Sequence, residues 1–256
     1  MLGPIDVHCH LLDTCFEEDR DNVIKRARES GILAVIEGTQ NLWECKKALE
    51  LESLNRGFVF FTAGVHPAYA DKAELARVIQ FIGTNEANIA GIGEVGLDFR
   101  IRRDDEGRSP MLDVFKAFID ISAQLSLPLI VHSRSAGRAA IDVLLAMKAK
   151  KVVMHAFDGR GSFARQGVDA GFCFSIPPSV VRSQQKRKLV RGLPLDSLLL
   201  ETDSPVLGPT GKERNEPRNV WIGAEEIAKI KGISLAKVIE ATTRNANRIF
   251  SRMESR

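Results

Sequence analysis

Short apolar runs rich in β-branched and aromatic residues recur along the chain, separated by segments in which apolar residues return every three or four positions. The runs are IDVHCH (5–10), LAVIEGT (33–39), FVFFTAGVH (58–66), IAGIGEVG (89–96), PLIVHS (128–133), VVMHAF (152–157), FCFSI (172–176) and SLLLET (197–202), and they predict eight strands. Between them DNVIKRARESG, MLDVFKAFIDISAQL and GRAAIDVLLAMKA carry helical spacing, the first closed by Gly31. Strand and helix therefore alternate. Eight such units in about 200 residues predict an α/β fold, a closed (β/α)8 TIM barrel of parallel strands, with an open doubly wound sheet as the alternative. After the eighth run comes the polar loop TGKERNEPRN, then IGAEEIAKIKG and SLAKVIEATTRNANRIF, two C-terminal helices of which the second has Ser234 placed as its N-cap. No internal repeat or linker divides the chain, so residues 1–256 read as one domain.

The polar residues that interrupt these runs fall in a pattern of their own. Four of the five histidines stand at the ends of runs, His8 and His10 in IDVHCHL, His132 in LIVHSRS and His155 in VVMHAFD. Two acids stand at similar places, Glu94 in AGIGEVGLD and Asp203 in LLLETDSP. In a parallel barrel every strand ends on one rim, where active sites are built, so six ligand-type side chains from five strands converge there. His8 and His10 are two apart, which sends both imidazoles to one side and leaves Cys9 pointing away. Neutral imidazole and carboxylate suit borderline divalent ions such as zinc, manganese or iron(II) and argue against a closed thiolate site. The set reads as a two-metal hydrolytic centre, with Glu94 as the natural bridge and Asp203 as both ligand and acceptor of the attacking water's proton. Asp203 also has the simpler reading of a turn aspartate before Ser204 and Pro205.

Composition narrows the partners only slightly. A net charge of +3 with 27% charged residues favours an anionic partner weakly. The densest basic stretch, RSQQKRKLVR (182–191), reads either as a lining for a phosphate backbone or as an ordinary solvated helix face. Cys9, Cys15, Cys45 and Cys173 show neither C-x-x-C spacing nor a dense framework, as expected of reduced thiols in the cytoplasm. No run approaches the roughly 20 apolar residues of a membrane span, and the first strand leaves no room for a signal peptide. GIGEVG (91–96) matches G-x-G-x-x-G, but a charged, turn-like LDFRIRRDDEG follows where a helix should open, so no nucleotide cofactor is expected. Neither a G-x-S-x-G elbow nor a P-loop is present, which leaves water as the nucleophile.

The motifs DVHCHL (6–11), GVHP (64–67), GEVGLDF (93–99), PLIVHSR (128–134), HAFDG (155–159), FSIPPS (174–179) and LLLETDSP (198–205) together resemble the TatD family of metal-dependent deoxyribonucleases, in the amidohydrolase superfamily. The resemblance runs essentially end to end. HSRSAGR, RSQQKRKLV and RNEP are most similar to a subgroup of archaeal and eukaryotic members. It implies a barrel with two divalent metals, magnesium among the possible ions, on His8, His10, Glu94, His132, His155 and Asp203, with Glu94 where many amidohydrolases carry a carboxylated lysine. It further implies a DNA substrate, attacked from a 3′ end or at an abasic site. His66 and Arg134 occupy motif positions facing the rim and would hold phosphate oxygens, although His66 also suits the turn at Pro67 and Arg134 an ion pair with a nearby acid. Arg214, and more weakly Arg218, in the loop after the eighth strand are further substrate candidates. Two alternatives stand beside this: ester or amide hydrolysis, as in a D-aminoacyl-tRNA deacylase, and a non-catalytic nucleic-acid-binding role.

Overall fold

Each apolar run becomes a strand in the computed structural model, which describes residues 3–253. The strands are β1 (Ile5–Cys9), β2 (Ala34–Gly38), β3 (Val59–Ala63), β4 (Gly91–Gly96), β5 (Leu129–His132), β6 (Val152–Met154), β7 (Cys173–Ile176) and β8 (Leu198–Leu200). Both faces of the sheet are covered, which is why the strands read as continuous apolar runs instead of alternating ones. Neighbours pair in parallel in the order β1 to β8. Individual bonds tie β8 back to β1: Asp203 N–H donates to His8 O (2.9 Å) and His10 N–H to Ser204 O (2.8 Å). The buried Asp6 carboxylate adds two acceptors at this seam, for the backbone N–H (2.8 Å) and hydroxyl (2.5 Å) of Thr202. The barrel expectation holds, and the open sheet does not.

Helices α1 (Arg20–Glu29), α2 (Leu42–Leu54), α3 (Lys72–Asn85), α4 (Asp105–Leu125), α5 (Gly137–Ala146), α6 (Gly161–Asp169) and α7 (Gln184–Gly192) connect the strands, and α8 (Val220–Lys231) and α9 (Leu235–Ile249) follow β8. Ser234 caps α9 as the sequence predicts, its side chain accepting from Lys237 N–H. Helix α4 starts six residues before the apolar pattern opens at Met111. Asp104 caps it there, accepting from Gly107 N–H at 2.7 Å. This first stretch is largely exposed, so nothing in it needs apolar spacing, and the charged segment reads as turn.

Two apolar layers hold the barrel. The larger lies between strands and helices and includes Cys9, Phe61, Phe115, Phe118, Phe157 and Phe174. The smaller fills the lumen with residues such as Val7, Ile36, Phe60, Ile130, Val153 and Leu199, and is joined by Ile249, Phe250 and Met253 from the end of α9. Burying each such side chain contributes about 1.5–3 kcal/mol. The lumen is therefore a packed plug at the end where the strands begin, and chemistry is confined to the end where they finish.

Glycines 91, 93 and 96 of the apparent dinucleotide fingerprint serve that packing. A Cβ on Gly96 would lie 2.1 Å from His132 O and one on Gly93 2.8 Å from Ile130 Cβ, and both residues adopt positive φ that glycine tolerates. They let β4 lie against β5 and so bring Glu94 beside His132.

Candidate metal centre

The six ligand-type residues reach the rim from five strands. His8 lies within β1 and His10 follows it; Glu94 lies within β4; His132 ends β5; His155 follows β6; Asp203 lies three residues past β8. The β1 ladder shifts register between Asp6 and Cys9, so Val7 remains in the lumen plug while His8 and His10 both reach the site. Cys9 points the other way, into the outer layer, with its Sγ 3.5 Å from Ile36 O. Gly38 makes room for His8, since a Cβ there would lie 2.4 Å from His8 Cε1.

The two oxygens of Glu94 face different histidines. Oε2 lies 3.7 Å from His8 Nε2 and 3.6 Å from His10 Nε2. Oε1 lies 2.6 Å from His132 Nδ1 and 3.1 Å from His155 Nε2. Asp203 Oδ1 closes the first side at 3.3 Å from His10 Nε2 and 3.7 Å from His8 Nε2. Donor atoms of His8, His10 and Glu94 lie within 4.8 Å of one another, as do those of His8, His155 and Asp203. Both ring nitrogens of His8 are buried without any hydrogen-bond partner, a costly state that a cation on Nε2 would relieve. The donor set fits a divalent metal.

The remaining ring nitrogens have acceptors that orient them. His10 Nδ1 faces Gly38 O at 2.9 Å, His132 Nε2 faces Asp98 Oδ2 at 3.0 Å, and His155 Nδ1 faces Glu201 Oε2 at 3.4 Å. A proton on each of these leaves the lone pair of the other nitrogen facing Glu94, the tautomer a metal requires. Glu201 is itself fixed by Ser175 Oγ (2.5 Å) and Ala156 N–H (2.9 Å), and Asp98 by the N–H groups of Arg100 and Ile101. Glu37 holds the chain just beyond His10 through Leu11 and Leu12 N–H, and burial pushes its carboxyl up to about 8. Burial also works against charge on Glu94, but the surrounding His66, His155 and His132 outweigh it and hold the carboxylate well below its ordinary range.

His66 has the opposite polarity. Its Nδ1 accepts Ala68 N–H at 3.1 Å, so the neutral ring carries its proton on Nε2, 3.9 Å from Glu94 Oε1. Burial lowers its pKa to about 4 and keeps the ring neutral. His66 thus fixes the Pro67 turn and also presents an N–H to the site. Arg134 makes the ion pair the sequence allowed: its Nε pairs with Asp98 Oδ2 at 3.0 Å while about half the side chain stays exposed. Both line a cavity of about 760 Å3 over the ligand cluster. Arg214 is placed elsewhere. Its guanidinium grips Asp19 at 2.7 Å through both terminal nitrogens and donates to Cys15 O, outside the cavity lining.

The basic stretch 182–191 also divides. Lys186 is buried, lines the cavity and donates to Ala156 O at 2.9 Å. Arg187 pairs with Glu226, and Arg182 donates to Gly208 O. Only Lys188 and Arg191 fit a plain solvated face. Sequence reasoning gave no role to Asp6, Glu37, Asp98 or Glu201, and took Lys186 only as one of the basic residues of 182–191. For Asp98 and Glu201 the available signal was an acid just past the end of a buried strand, the usual partner of a ligating histidine.

Comparison with known proteins agrees with this geometry. The family model described as TatD related DNase matches residues 5–251. Human "Deoxyribonuclease TATDN3" is 43% identical, covering 98% of this chain and 96% of its own length. The "3'-5' ssDNA/RNA exonuclease TatD" of Erwinia tasmaniensis is 32% identical, covering 96% of this chain and 99% of its own. Among solved structures, YJJV, a TatD homologue from Escherichia coli k12, superposes with a TM-score of 0.88 at 22% identity over 97% of this chain and 98% of its own. The chain belongs to the TatD family of metal-dependent deoxyribonucleases.

Proposed function

We propose that the whole chain, residues 1–256, acts as one cytoplasmic phosphodiesterase domain that hydrolyses DNA with two divalent ions, at a 3′ end or an abasic site. The observation that supports this most is the division of Glu94, one oxygen toward His8 and His10 and the other toward His132 and His155. His8, His10, Glu94 and Asp203 would hold one ion, and Glu94, His132 and His155 the other. Zinc, manganese, magnesium and iron(II) all suit such nitrogen and oxygen donors. When bound, the ions supply polarisation of the phosphoryl group and acidify water. Asp203 would accept the proton of the attacking water, His66 Nε2–H would donate to a phosphate oxygen, and Arg134 and Lys186 of the cavity lining would balance phosphate charge.

Arg100, Arg134 and Lys186 in the cavity lining favour a phosphodiester over an aminoacyl ester. A binding protein built on the basic helix has less support, because Arg182, Lys186 and Arg187 are already engaged within the fold. The test is a cleavage time course on end-labelled single-stranded DNA and abasic-site DNA, comparing metal-stripped protein with protein given manganese or magnesium. Metal-dependent cleavage is expected, with Asp203→Asn cutting turnover on the order of a hundredfold or more. No cleavage of either DNA by the metal-loaded protein would move the assignment to ester or amide hydrolysis.

A further inference from the structure

Large apolar side chains left exposed gather on the catalytic rim. Of the six among the described residues, Ile101 and Val206 line the cavity, and Trp43 and Tyr69 line a neighbouring groove of about 470 Å3. Trp43 is 61% exposed and Tyr69 46%. A buried tyrosine or tryptophan would be unremarked, but two exposed ones lining a single groove at an enzyme's mouth are held there against the tendency to bury them.

Groove and cavity are built from the same two loops. Gln40 and His66 line the cavity; Trp43 and Tyr69, three residues after each, line the groove. His66 N–H donates to Gln40 O at 2.9 Å, which ties the loops together where they leave the cavity. Tyr69 is then carried by the short turn in which its N–H returns to His66 O, and Trp43 by the start of α2, where Asn41 accepts Glu44 N–H. Glu74 of α3 accepts Leu42 N–H at 2.6 Å and locks the two rims in register. The groove's acids are occupied in holding this frame: Asp71 caps α3, and Glu74 also pairs with Arg77. Arg77 remains more than half exposed, and its Nη1 takes no part in that pair.

We propose that Trp43 and Tyr69 form a stacking platform for an unpaired nucleobase of the substrate strand next to the phosphodiester held in the cavity, with Arg77 meeting a flanking phosphate. The assignment rests on the phosphodiesterase reading above and extends it to single-stranded segments, since a paired base would have no free face to offer.

The probe is a 12-nucleotide oligothymidylate bound to manganese-loaded full-length Asp203→Asn protein, followed by fluorescence anisotropy. Trp43→Ala and Tyr69→Ala, both at exposed positions, are each expected to raise Kd about tenfold, the scale of one lost base stack. Trp43→Phe should restore most of the affinity. Replacing single bases along the oligonucleotide with an abasic spacer should find one position where the unsubstituted platform loses the same factor and the Ala variants lose nothing more. Unchanged Kd in both Ala variants, or additive losses at every spacer position, would overturn the platform; so would a Trp43-dependent self-association in sedimentation, which would make the patch a protein contact. The two readings fail separately. Platform-dependent binding without cleavage in the unsubstituted chain would remove the phosphodiesterase and keep the platform, whereas cleavage with affinity unaltered in the Ala variants would do the reverse.

Discussion

At the end of the barrel where the strands begin, Ile249 at the end of α9 and Phe250 and Met253 just after it close the lumen over Ile5, Ala34 and Ala90 in one apolar cluster. At the other end His8, Glu94, Asp98, His155 and Glu201 are buried just as deeply, yet each is polar. The first mouth gains free energy from every methyl group it hides. The second loses free energy on desolvation and recovers it through bonds such as Ser175 to Glu201 and His132 to Asp98, except at His8, where nothing recovers it. One barrel thus keeps its stability at one end and its chemistry at the other, and substitutions at the two ends should be separable in their effects.

The largest effect is expected at the polar mouth. Glu94→Ala removes the carboxylate that both histidine sets share, so turnover should fall by about a thousandfold or more while the melting temperature without added metal stays level or rises. Elemental analysis should show both of the proposed ions diminished; loss of only one would mean that Glu94 does not bridge. At the apolar mouth Phe250→Ala should do the opposite. A cavity of this kind costs about 3–5 kcal/mol, lowering the melting temperature by roughly 10 °C, with kcat at moderate temperature nearly unchanged. A large fall in kcat without a fall in stability would show that the two mouths are coupled.

A smaller effect belongs to the loops above the polar mouth. The bond from Arg214 holds the Asp19 carboxyl at about 2, below its ordinary 3.8, against opposing desolvation. Because the folded value is the lower one, the stabilisation is present above about pH 4 and disappears as pH falls toward 2. The stability gap between the unsubstituted chain and Asp19→Asn should therefore be constant near neutrality and shrink in acid. A gap that widened in acid would show that this pair is not what joins the loops.

Much of this was legible in the residues. Burial on both faces made every strand a continuous apolar run, so order and number followed from local pattern, and the parallel barrel then dictated that His8, His10, Glu94, His132, His155 and Asp203 would meet. The start of α4 was hidden because its first turns are exposed and need no periodicity. Arg214 was misplaced because a charged loop residue looks the same whether it faces a substrate or grips Asp19. For His66 and Arg134 the geometry shows the turn contact and the ion pair, and leaves both residues lining the cavity.

The sequence by itself determined eight strands alternating with helices and the standing of six ligand-type residues at or near strand ends, because those depend on burial periodicity, which is local and repeats along the chain; closure into a barrel waited for the bonds between β8 and β1. Tertiary structure alone decided which oxygen of Glu94 faces which histidine, which ring nitrogen of His66 carries its proton, that Lys186 turns inward, and that Trp43 and Tyr69 share a groove. Those depend on distances of a few ångströms between residues far apart in the chain, and no periodicity encodes them.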